Sequence, residues 1–132
     1  MDKKENWFEV SGRLPSLNDY IFACRSHWSK GAKMKERTET DIIWAIRAAR
    51  LKGHCRKTDR PVIIHFEWHE SDRRRDLDNI YSAKKYILDA MQKEGIIKND
   101  NRKYVTGLYD TIVDDDKDCV LVTILEAEET KG

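Results

Sequence analysis

The run Val62-Ile63-Ile64-His65-Phe66-Glu67-Trp68-His69, opened by Pro61, constrains the fold more than any other part of the chain. Val62, Ile64, Phe66 and Trp68 alternate with the other four, and residues two apart on a strand share one face. One face of this strand is therefore strongly apolar and has to be covered by a second layer. Two stretches can supply that layer. Residues 33–52 carry an apolar stripe at Ile42, Ile43, Ala45, Ile46 and Ala49, and residues 79–93 carry another at Ile80, Ala83, Ile87, Leu88 and Met91. Gly95 marks the end of the second helix, and Ser16 is placed to cap a short helix running through Ala23. Further strands are expected at 7–13, 103–113 and 119–126, the last two as an antiparallel pair joined by the acidic turn Asp114-Asp115-Asp116. Helices and strands mix without a regular βαβ repeat. The expectation is an α+β fold, with a small mixed or antiparallel sheet packed against two main helices.

At 132 residues, with no Ser/Gly/Pro-rich linker, residues 1–132 read as one domain. Lys+Arg number 25 and Asp+Glu 24, a balance that excludes a histone-like cation or an acidic-tail protein. The charge is nevertheless uneven. Residues 30–85 hold fifteen Lys/Arg against nine Asp/Glu, whereas residues 106–132 hold two against eight. No window is apolar enough to span a membrane and the start MDKKENWF lacks the apolar core of a leader, so a cytoplasmic protein without membrane contact is expected. Cys24, Cys55 and Cys119 show no CxxC spacing and read as reduced packing residues. There is no Gly-rich phosphate loop and no GxSxG, which removes NTPase and α/β-hydrolase chemistry from consideration.

The chemistry-bearing residues follow the central strand. Asp76 and Asp78 lie between a strand end and a helix start; in extended backbone their Cα atoms are about 6–7 Å apart on one side, so both carboxylates can grip one hard cation. The competing reading is a helix cap at Asp78 and an ion pair between Asp76 and the neighbouring arginines. On a continuous helix Asp78, Lys85 and Asp89 share a polar face, but Asp89 is about 16 Å along the axis from Asp78 and is better suited to positioning Lys85. An ordinary exposed i,i+4 pair explains Lys85 and Asp89 equally well. Asp100, reached after the turn at Gly95, can return to the first pair or serve simply as a turn residue between Asn99 and Asn101.

The blocks Arg75-Asp76-Leu77-Asp78-Asn79-Ile80, Lys85-Tyr86-Ile87-Leu88-Asp89-Ala90-Met91 and Gly95-Ile96-Ile97-Lys98-Asn99-Asp100 resemble, in order and spacing, the pattern of the RusA family of Holliday junction resolvases. The resemblance is dense over residues 73–105. Upstream, Leu14-Pro15-Ser16-Leu17-Asn18 and Gly31-Ala32-Lys33-Met34-Lys35 are similar to phage and prophage members. Asn99 stands where many members carry a second Asp. The resemblance implies a homodimeric endonuclease that uses Mg2+, with Mn2+ as its substitute, to cut four-way DNA junctions in recombination and repair. Asp76, Asp78 and Asp100 would form its acidic metal-binding cluster. Lys85 would be the essential basic residue, a point charge at the scissile phosphate or a group that orients the attacking water, with Lys84 the alternative; by their own placement Asp89 is suited to position Lys85 and Glu67 to act as an outer neighbour of the Mg2+ site. A non-catalytic junction binder, or a nuclease for other branched DNA, are the competing functions.

Around such a site Arg73, Arg74 and Arg75 adjoin the acidic residues and are expected to contact DNA, together with Lys30 and with Lys33 and Lys35 of the expected helix over 33–52. Trp28 and Tyr104 are further candidates for stacking on unpaired bases. His65, Glu67 and His69 alternate on one strand face as zinc ligands can, but no fourth ligand accompanies them.

Overall fold

The computed structural model describes residues 6–126. In chain order these form β1 (Trp7–Ser11), α1 (Leu17–Ser26), α2 (Trp28–Leu51), β2 (Val62–Glu70), α3 (Leu77–Tyr81), α4 (Lys84–Lys93), β3 (Val105–Asp114) and β4 (Cys119–Glu126). The sheet order is β1-β4-β2-β3, with β4 antiparallel to both β1 and β2, and β3 parallel to β2. This is a small α+β domain with a mixed sheet. Val62, Ile64, Phe66 and Trp68 are all buried, as their alternation requires, and meet Phe8 and Val10 of β1, Val120, Val122 and Ile124 of β4, and Ile42, Ile46, Ile87 and Met91 of the helices. No helix is long and apolar enough to cross a membrane among the described residues.

Local signals set most boundaries. Ser16 caps α1 in a reciprocal box: its hydroxyl accepts the Asp19 N–H (3.2 Å) while the Asp19 carboxylate accepts the Ser16 N–H (2.8 Å). At the end of α4, Gly95 adopts φ 74°, the Ile96 N–H reaches the Met91 carbonyl (2.9 Å) and the Gly95 N–H the Gln92 carbonyl (3.1 Å). That double bond reverses the chain toward Asp100. The long helix starts at Trp28, five residues before the expected start. Gly31 lies inside it because α1 packs so close: a Cβ there would sit 2.2 Å from the Cys24 sulfur. Of the three free cysteines, Cys55 is buried, Cys119 half-buried and Cys24 exposed, so only the first is a full core residue. Burial pushes the Cys55 and Cys119 thiols up to about 11, which keeps both neutral.

Two expectations about connectivity are corrected. β3 and β4 do not form a hairpin, because β2 lies between them and the segment from β2 through α3 and α4 to β3 is a parallel crossover. The acidic turn spends its hydrogen bonds on the end of β2: the Asp115 N–H donates to the Glu70 carbonyl (3.1 Å), and Asp118 accepts from the Ser71 N–H (2.8 Å) and hydroxyl (3.0 Å). The expected helix over 79–93 is also two helices. The Ser82 hydroxyl donates to the Asn79 carbonyl (2.6 Å) and accepts the Leu17 N–H (2.8 Å), while the Ala83 and Tyr86 N–H groups bond three residues back, to Ile80 and Ala83. A serine bonding its own helix backbone and a tightened turn together break the α-helical phase there.

Candidate functional site

Asp76 is the N-cap residue of α3 and Asp78 lies in its first turn, yet Asp76 makes no capping hydrogen bond through its side chain. Neither carboxylate has a hydrogen-bond or ion-pair partner among the described residues, and both are exposed. The adjacent arginines have chosen other carboxylates. Arg73 pairs with Asp114 (3.6 Å), Arg74 with Asp72 (3.0 Å) and Arg75 with Glu70 (2.9 Å). The Arg74 guanidinium holds Asp72 down at about 2. Arg73 and Arg74 face outward with side chains 77% and 90% exposed, whereas Arg75, at 9%, is turned inward onto Glu70.

The second group forms on α4. The Lys85 ammonium lies 3.2 Å from the Asp89 carboxylate, one turn along, and 3.0 Å from Asp100, which the Gly95 reversal carries back to it. Asp100, ahead of Asp89, raises the Lys85 pKa. Lys85 is therefore a cation at neutral pH. Lys84 points elsewhere: its ammonium is 2.7 Å from Asp110 of β3, which also accepts the Trp68 indole N–H (2.9 Å), and it lies over the Phe66 and Tyr81 rings. Lys84 ties α4 to the sheet. Lys35 of α2 lines the same cleft as Lys85 and Asp89, while Lys30 and Lys33 are exposed on the first turns of that helix. Arg47, by contrast, is spent on Glu94 of α4 (2.9 Å).

Asp76, Asp78 and Asp100 are not drawn into one cage: among the described residues no three His, Cys, Asp or Glu side chains converge closely enough to hold a metal. Asp100 is engaged by Lys85. The pair Asp76 and Asp78 still fits Mg2+, because that ion keeps several waters and is commonly held by one or two carboxylates plus substrate phosphate oxygens. Two unpartnered oxygen donors in solvent suit it.

Glu67 is not gathered with these residues. The period of the strand puts it on the opposite face from Phe66 and Trp68, where it meets His69 (2.6 Å), and Trp68 is the residue that contacts Tyr81 of α3. His65 bonds the Thr111 hydroxyl (2.7 Å). His69 thus sits between two carboxylates, with Asp115 at 2.8 Å on its other ring nitrogen, an arrangement that needs both nitrogens protonated. Its pKa is raised, chiefly by Asp115 and also by Glu67, and that of Asp115 is lowered by His69. The raised His69 stabilises the fold fully below its ordinary value of 6.5 and ceases to do so as pH rises through its folded value. The lowered Asp115 contributes above its ordinary 3.8 and is lost on acidification. The unfolding temperature of the native chain is accordingly expected to decline more steeply above pH 6.5 than that of His69→Gln. Parallel slopes for the two proteins rule out this role.

What the sequence alone did not reveal is the cleft between α1 and α4. Leu17, Tyr20, Lys35, Ser82, Lys85, Tyr86 and Asp89 line it, and they come from segments whose proximity depends on the Ser82 break and the Gly31 contact. Comparison with protein-family models finds no match for this chain, and comparison with curated proteins finds none either.

Proposed function

We propose that this chain is a Mg2+-dependent, structure-selective DNA endonuclease that cuts four-way junctions as a homodimer. The observation that carries the reading is the pair Asp76 and Asp78, left without partners beside three arginines that each pair with a different carboxylate. Two carboxylates that stay open beside guanidinium groups are available to a hard cation, which in turn can hold a phosphate oxygen. Mg2+ held there would supply a more acidic water and charge neutralisation at the phosphoryl oxygens. Lys85 would add a fixed positive charge for the scissile phosphate, with Asp89 and Asp100 restricting where its ammonium sits. Arg73, Arg74 and Lys35 would meet flanking phosphates. A C2 dimer would present one site to each of two symmetry-related strands.

The test is a synthetic four-way junction and a linear duplex of the same sequences, each incubated with Mg2+. Paired nicks in the junction and none in the duplex are expected. A junction that is bound but never nicked makes the protein a binder and overturns the enzyme, and a strict monomer at micromolar concentration in light scattering overturns the dimer. The two lysines are expected to separate in the same assay. Lys85→Met should lower nicking by about 10²–10³-fold with little change in stability, as for loss of one group that stabilises developing charge. Lys84→Met should instead destabilise the fold by about 1–3 kcal/mol, by leaving Asp110 without its cation, and keep nicking per folded molecule. The reverse pattern would assign the chemistry to Lys84.

A further inference from the structure

The cleft beside Lys85 has a composition that the proposed cleavage chemistry does not use. Its walls are Leu17 and Tyr20 of α1 and Tyr86 of α4, and its rim carries Lys35, Lys85 and Asp89. Its volume is 220 Å³. That is less than the roughly 300–1,000 Å³ of sites that enclose drug-sized molecules, so the cleft suits one ring system and not a longer chain. Leu17 is 54% exposed, which leaves its wall open to solvent in the isolated protein. Of the rim charges, Asp89 is already neutralised by Lys85, whereas Lys35 has no ion pair among the described residues. Lys85 is shared between Asp89 and Asp100, so Lys35 is the rim cation left unanswered over an apolar, aromatic-walled slot.

We infer that this cleft receives one unstacked nucleobase of the DNA next to the cleaved phosphate. The inference rests on the proposed junction cleavage and adds to it how the branch is told from a duplex. A planar base fits between tyrosine and leucine side chains, and its own phosphate falls to the lysines at the rim. An apolar side chain from a protein partner would fill the slot but would leave the Lys35 charge unanswered. Bases at a branch point are the ones free to leave the stack, since extrusion costs least where pairing and stacking are already interrupted. A duplex offers no such base. The cleft shares Lys85 and Asp89 with the candidate site, so a seated base fixes the backbone against the Lys85 ammonium.

The experiment places 2-aminopurine at each crossover nucleotide of a four-way junction in turn and follows its fluorescence on binding in EDTA. Leu17→Trp fills the slot from an exposed position, and the Leu17 backbone N–H keeps its bond to Ser82. The native protein is expected to change the fluorescence at one crossover position. In Leu17→Trp that change should vanish and junction affinity should fall by about 5- to 150-fold, the range for losing one stacked base, with duplex affinity unaltered. Lys35→Ala should keep the fluorescence change and reduce the salt slope of binding by about one phosphate contact. A native protein that binds the junction without any fluorescence change, or a change that survives in Leu17→Trp, overturns the cleft proposal and leaves the cleavage reading intact. No preference of the native protein for junction over duplex overturns both.

Discussion

Asp78→Asn is expected to reduce Mg2+-dependent nicking of a four-way junction by on the order of 100-fold or more, through loss of a charged metal-holding oxygen, while junction binding in EDTA stays equal or tightens. Asp78 is exposed and its side chain makes no hydrogen bond or ion pair among the described residues, so the isosteric amide removes neither from the fold, and stability should stay within about 0.5 kcal/mol. The sign of the binding effect follows from charge. A carboxylate without its metal repels a phosphate, and the amide does not. Mobility shifts in EDTA and denaturing gels with Mg2+ read the two quantities separately. Nicking preserved within about threefold would remove Asp78 from the metal site. A folded variant that binds the junction markedly more weakly without metal would show that Asp78 holds DNA by some other contact. Asp76→Asn should behave alike, because the two carboxylates share the same lack of partners.

The features that the sequence made legible are those governed by neighbours within a few residues. The alternation over residues 62–69 marked the central strand and its buried face, Ser16 the cap of α1, and Gly95 the helix stop. Lys85 and Asp89 meet as their i,i+4 spacing requires. The features that stayed hidden depend on contacts between distant segments. Asp114 to Asp116 look like a hairpin turn, but β2, apolar on its buried face, takes the place between β3 and β4, and the turn bonds to its end. A uniform helical phase through 79–93 puts Asp78 on the face of Lys85, and Ser82 breaks that phase by bonding both Asn79 and Leu17. Three consecutive arginines look alike in sequence, yet only Arg75 has Glu70 within reach on the buried side of the strand end. Part of the basic excess of the middle segment is thereby spent inside the fold, and the outward charge comes from Arg73, Arg74 and, at the cleft, Lys35.

That division between inner and outer arginines carries the largest expected change in stability. Glu70 continues the buried face of β2 after Trp68, and its side chain is 7% exposed against 9% for Arg75, with 2.9 Å between them. Leu14, Trp68, Ile80 and Val120 surround the pair. Truncating one member strands the other charge in that apolar setting, so Arg75→Ala is expected to cost about 3–5 kcal/mol in urea unfolding. Glu70→Leu combined with Arg75→Met leaves no charge behind and keeps similar volume, so the double variant should recover most of that loss. The pair of proteins also decides what Arg75 does. If its role is to hold the loop that presents Asp76, the double variant binds and nicks a junction like the native chain. A double variant that is stable yet loses junction affinity would return Arg75 to the phosphate contacts, and an Arg75→Ala cost below about 1 kcal/mol would mean that the pair is solvated like an ordinary surface bridge.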